Sequence, residues 1–181
     1  MDAIRALTRD RLKSDDRRAE TNRYKPEQHQ KTEGGKMVTT NLNSLTLAEF
    51  QGKERPELHC RATFPLAEAL GTKNSTLVYF ELKPGNSLGR HTDSEEELLL
   101  ILDGEVEVTV GDETDRLAKY EIAVVPKMAP HNLRNVGAGT ARVLGFFGSK
   151  NIVATFDVKW LPADTNVIDT ARAFSKEVEA Q

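Results

Sequence analysis

GNSLGRHTDSEEELLLILDG (residues 85–104) and YEIAVVPKMAPHNLRN (residues 120–135) are the two stretches whose reading decides the rest of this chain. Within them His91, Asp93, Glu97 and His131 are all good ligands for a divalent metal. Side chains alternate along a strand, so His91 and Asp93 share a face if this segment is extended. Ser94 and Glu95 read as a turn that returns Glu97 to the same side. His131 follows a proline-bounded turn from Pro126 to Pro130 and opens another strand. Two imidazoles with one or two carboxylates would offset the charge of a divalent ion and leave positions open for substrate. Such an ion can activate oxygen, polarise a carbonyl or lower the pKa of water.

Outward from this centre the chain reads as short strands separated by turns: HCRATF, STLVYFELK, EELLLILD, EVEVTV, DRLA, EIAVV, HNLRNV and ARVLGFFG. EVEVTV has the clearest alternation, with Val106, Val108 and Val110 on one face and Glu105, Glu107 and Thr109 on the other. Hairpins are predicted at Asp103–Gly104 and Gly111–Asp112, residues that tolerate positive φ. EELLLILD is apolar on both faces, so its outer face needs a cover, either another layer or a second subunit. The expected architecture is all-β, a single sandwich-like or barrel domain over residues 37–162. A charged leader, helical or disordered, is expected over residues 1–36, and a C-terminal helix over residues 163–181. In that helix Asp164 or Thr165 would cap, and Val167, Ala171, Phe174 and Val178 recur at helical spacing. Phe156 and Trp160 are expected to pack on the barrel, with the tail after Gly148 serving as bracing or dimer contact.

Composition narrows the function classes. One cysteine, Cys60, excludes an internal disulfide and any multi-cysteine metal site, which favours a reducing, cytoplasmic setting. No segment approaches the roughly 20 apolar residues of a membrane helix, and the charged start has no apolar signal-peptide core. Residues 1–36 carry ten Lys and Arg against seven Asp and Glu, so the remainder is acidic and would repel nucleic acid. Neither nucleic acid nor a membrane is therefore an expected partner. A small-molecule substrate is, and the doubly apolar strand together with the long tail predicts a homodimer. His59 beside Cys60 reads as strand packing rather than a redox pair, and His29 as an exposed linker residue. Arg90 and Arg134, neighbours of inward residues, are expected to face outward, and Asn135 to close a turn.

The two stretches resemble the paired motifs of the cupin superfamily of small β-barrels. Gly85, His91, Asp93, Glu97 and Gly104 fall at the intervals of the first motif, with Asp93 in place of its second histidine. Pro126, His131 and Asn135 match the second, while Tyr120 and Met128 stand where that motif has glycines. The resemblance extends from about Leu77 to Phe147. It implies a cupin barrel (a double-stranded β-helix, or jelly-roll-like fold) with metal ligands at His91, Glu97 and His131 and Asp93 at the fourth position.

The leading expectation is a non-haem iron(II) dioxygenase acting on a small organic substrate. In it Asp93 and Glu97 serve catalysis, Asp93 as a ligand or in handling a proton. A manganese- or zinc-dependent isomerase or lyase acting on a sugar or carboxylate is the alternative, and a non-catalytic small-ligand binder is a third.

Overall fold

The computed structural model describes residues 37–173; the leader and the last eight residues lie outside them, with the expectations made for them and for His29. Twelve strands form one antiparallel sheet rolled into a nearly closed barrel. They are β1 Ala48–Gly52, β2 Arg55–Leu66, β3 Thr76–Leu82, β4 His91–Asp93, β5 Glu97–Asp103 and β6 Glu105–Val110, followed by β7 Glu113–Ala118, β8 Ile122–Val125, β9 His131–Asn135, β10 Ala141–Phe147, β11 Val153–Leu161 and β12 Thr165–Asp169. Their order around the wall is β7-β6-β9-β4-β11-β1-β2-β3-β10-β5-β8, with β12 paired to β11 alone. Among the described residues no helix is long and apolar enough to cross a membrane.

Alternation explains why the wall closes over a dry interior. Val106 and Val108 of β6 are buried and their glutamate neighbours are not. Leu99 and Ile101 of β5, Leu133 of β9, and Val143 and Phe147 of β10 point inward the same way. Each such side chain contributes about 1.5–3 kcal/mol relative to exposure. The tight turns use left-handed backbone at Gly104 (φ 84°) and Gly111 (φ 59°), the two hairpins read from the sequence. Tyr120 (φ 72°) and Met128 (φ 62°) adopt the same conformation without being glycine. These are the two positions where the resembling motif has glycine, so the backbone keeps the turn even though the residue has changed.

Asn135 closes the segment after β9, as expected. Its Nδ2 donates to the Leu82 and Gly139 carbonyls at 2.7 and 2.8 Å, and its Oδ1 accepts from Gly137 N at 2.9 Å.

Two expectations are corrected. The region from residue 163 does not begin as a helix: Thr165–Asp169 is a strand paired with β11, and α1 starts at Thr170 and is described to Ala173. The β-branched Val167 and Ile168 pair with Thr155 and Ala154, and Asp169 Oδ1 accepts from Ala171 N at the helix start. In addition, β11 is a full strand of the wall rather than bracing outside it, with Ala154, Phe156 and Trp160 buried.

The outer face of β5 stays apolar and uncovered by the described residues. Leu98 has Phe146 and Val124 as its cross-strand partners, and Leu100 has Leu144 and Ile122. Leu98, Phe146, Ile122 and Val124 are all exposed.

Candidate metal centre

His91 and His131 each begin a short strand, and they are register partners across β4 and β9. Their ring centroids lie 4.0 Å apart. The same device orients both rings: Nδ1 of His91 donates to the Gly89 carbonyl at 2.8 Å, and Nδ1 of His131 to the Ala129 carbonyl at 3.0 Å. A carbonyl only accepts, so Nδ1 carries the hydrogen and the neutral ring turns an Nε2 lone pair inward. Phe156, the register partner of His91 on β11, stacks on its ring at 4.5 Å and fixes its tilt.

Asp93 shares the inward face of β4 with His91. Its main-chain carbonyl accepts from Met128 N at 2.9 Å, which ties the turn before β9 to the ligand strand. Asp93 Oδ2 lies 3.3 Å from His131 Nε2 and 3.9 Å from His91 Nε2. One ligand atom from each of His91, Asp93 and His131 falls within 4.8 Å of the others, so this buried triad is capable of coordinating a metal ion. Glu97 opens β5 beside it, with Oε2 3.5 Å from His131 Nε2. All four side chains are almost wholly buried.

Glu97 depends on a neighbour that gives no local signal in the sequence. Its carboxylate packs against Gly145 of β10, where a Cβ would overlap Oε1 and approach Val78 Cγ1 to 2.7 Å. Only a glycine leaves that space.

Burial sets the electrostatics. It holds His91 down to about 4, helped by the neighbouring His131, and pushes Glu97 up to about 7. Burial also opposes a charge on His131, but Asp93 and Glu97 outweigh it and raise that imidazole to about 9. In the metal-free protein a proton on His131 thus stands between two carboxylates. Even so, His131 Nε2 forms no well-directed hydrogen bond although fully buried. Such an atom is costly to leave unmet. A donor set of two imidazoles and a carboxylate fits a divalent ion in that place.

The other sequence candidates fall away from the centre. His59 faces outward, 2.9 Å from Glu49 Oε1 and 3.2 Å from Asn86 Nδ2, while Cys60 points inward; strand alternation separates the pair. Burial pushes the Cys60 thiol up to about 12, which keeps it protonated and unreactive. Arg90 and Arg134 are exposed. Glu95 pairs with Lys127 at 3.4 Å.

His91, Asp93 and Glu97 line a cavity of about 720 Å³ inside the barrel. Phe80 and Phe147 also line it, whereas Tyr120 and Phe146 are on the outside. Much of the wall comes from β1, β2 and β11, whose contribution the motifs did not reveal. The alternation of Ala154, Phe156 and Trp160 was the available signal.

The fold and this centre define a cupin-type barrel domain, and residues 78–147 match the family model described as "Cupin domain". Among the solved structures similar in fold are the following three. One is a sugar phosphate isomerase, so named provisionally, from Acidithiobacillus ferrooxidans: 16% identity, TM-score 0.54, covering 74% of this chain and 93% of that one. The cupin domain of Schizosaccharomyces pombe Cnp3 shares 18% identity, with a TM-score of 0.51 and coverage of 62% and 74%. An oxalate decarboxylase of Lactobacillus farciminis, solved with formate, shares 16% identity, with a TM-score of 0.53; the match covers 74% of this chain and 36% of that one. No curated protein sequence matches this chain.

Proposed function

We propose that the chain is a divalent-metal enzyme of lyase or isomerase type, in which His91, Asp93 and His131 hold the ion and Glu97 carries a proton to or from the substrate. The observation behind this reading is the buried triad, with its ligand atoms within 4.8 Å of one another, beside a cavity that Glu97 also lines. A divalent ion bound there would supply Lewis acidity to a substrate oxygen. A donor set of two imidazoles and one carboxylate suits manganese, iron(II) or zinc. His91 and His131 are held by the Gly89 and Ala129 carbonyls, so their Nε2 atoms are preorganised. Glu97 lies outside the three-residue group yet lines the cavity, which supports a proton-exchanging role for its carboxyl. The apolar wall keeps water away from that exchange.

A second reading, an iron(II) dioxygenase, draws support from the 3.5 Å approach of Glu97 to His131 Nε2. Glu97 would then join the two histidines as a ligand, with Asp93 turned to proton handling. The test is to load the metal-free protein with manganese, zinc or iron and assay turnover with and without oxygen. Anaerobic turnover with manganese or zinc, lost in Glu97→Gln while the metal is retained, supports the first reading. Oxygen uptake that requires iron supports the second. A chain that cannot be loaded refutes both.

A further inference from the structure

The cavity wall is unusual for a site beside two carboxylates. Phe50, Phe64, Phe80, Phe147, Phe156 and Trp160 contribute to it, with Ala62, Val78, Leu88 and Cys60 between them. Its polar residues among those described, apart from the metal-centre residues, are Thr63, Thr165, Asp169 and Arg172, and the lining Trp160 has a buried Nε1–H without a hydrogen-bond partner. Arg172 is the cationic side chain among the described lining residues, and it is 86% exposed, so it belongs to the rim. Its Nε also lies 3.4 Å from Asp169 Oδ2. Inside the rim, among the described residues, no lysine or arginine faces the cavity.

This wall bears on what the cavity can hold. An anionic group drawn into the interior would give up its water and, among the described residues inside the rim, find no lysine or arginine, while meeting the carboxylates of Asp93 and Glu97. A polyol would leave most of its hydroxyls facing phenyl rings. An uncharged ligand with one or two oxygens meets neither cost, and about 720 Å³ is within the ordinary range for small-molecule sites.

We infer that the barrel takes an uncharged, largely apolar substrate, aryl or alkyl in its body, with a carbonyl or hydroxyl oxygen directed at the metal centre. The placement of that oxygen rests on the function proposed above; the class of ligand rests on the wall alone. The same reasoning disfavours dicarboxylates and phosphorylated sugars. The aromatic side chains of β1, β2, β3, β10 and β11 set the specificity, since they form the surface against which the body of the ligand packs.

The experiment uses the full chain, metal-loaded and metal-free, and the uncharged fluorescent probe N-phenyl-1-naphthylamine. Probe fluorescence should rise on binding to both forms. Acetophenone should displace it, while oxalate and glucose 6-phosphate should compete at least about tenfold more weakly. Ala62→Phe, which fills part of the cavity from β2, should weaken probe binding about tenfold while metal uptake stays unchanged. The wild-type competition needs no variant, so a misfolded Ala62→Phe does not remove the test. Probe binding in a protein that takes up none of the ions on loading would refute the metal reading and leave the ligand class standing. Metal uptake without probe binding, or displacement by oxalate or the sugar phosphate ahead of acetophenone, would overturn the inference.

Discussion

Gly145→Ala tests how Glu97 is held. A methyl group at this position overlaps the Glu97 carboxylate, comes within 3.1 Å of Glu97 Cδ and presses on Val78 Cγ1 at 2.7 Å. Overpacking a closed interior of this kind costs about 1–3 kcal/mol. For a domain of this size about 2 kcal/mol lowers Tm by roughly 5–10 °C. The carboxylate has to move by roughly an ångström, and a displacement of that size at a reacting group costs up to about 100-fold in rate. The stability assay is denaturant unfolding of the wild type, Gly145→Ala, Glu97→Ala and the double variant. The contact with Val78 is present in both backgrounds and cancels in the cycle. If the methyl's chief conflict is with Glu97, Gly145→Ala costs less in the Glu97→Ala background, with a coupling of about 1 kcal/mol or more. Additivity within about 0.5 kcal/mol would refute the account, because Gly145 would then not be making room for Glu97.

Metal affinity should rise with pH. His131 is held up to about 9 by Asp93 and Glu97, so below that pH its Nε2 proton must leave before the ring can ligate. Each proton released makes binding about tenfold tighter per pH unit, and a competition titration with a chromophoric chelator between pH 7 and 9 should show that slope; a flat profile would exclude the protonated imidazole. Met128→Gly should stabilise the protein by about 0.5–1 kcal/mol, because left-handed backbone costs a non-glycine residue more than glycine's added chain entropy. Its side chain is 56% exposed, so little packing is lost, and a lower denaturation midpoint would contradict this. The apolar row of Leu98, Phe146, Ile122 and Val124 is expected to be covered by a second copy of the chain. Light scattering at micromolar concentration should then report a dimer, converted to monomer by Val124→Lys; a monodisperse wild-type monomer counts against it.

What could be read from the sequence was whatever a local pattern encodes. The two-residue period of EVEVTV placed Val106 and Val108 inside, and the intervals linking His91, Asp93, Glu97 and His131 placed them on one centre. Glycine could be dispensed with at Tyr120 and Met128 because the turn geometry is imposed by the strands it joins. Long-range properties stayed hidden. Gly145 is an unremarkable residue of ARVLGFFG until β10 is laid beside β5, and the closer approach of Asp93 than Glu97 to His131 is a matter of tenths of an ångström. The tail misled for a physical reason. Val167, Ala171 and Phe174 suit a helix by spacing, but pairing with β11 outweighs that preference as far as Asp169. The inward alternation of Ala154, Phe156 and Trp160 was present all along and marks β11 as wall.

The central claim is that His91, Asp93 and His131 form a metal site. Its most direct test is the metal content of untagged protein purified without chelator, beside His131→Ala. The account predicts near-stoichiometric manganese, iron or zinc in the wild type, and its loss in a folded His131→Ala. A wild type that is empty and takes up none of the three ions on reloading, or a His131→Ala variant that keeps its metal, would contradict it.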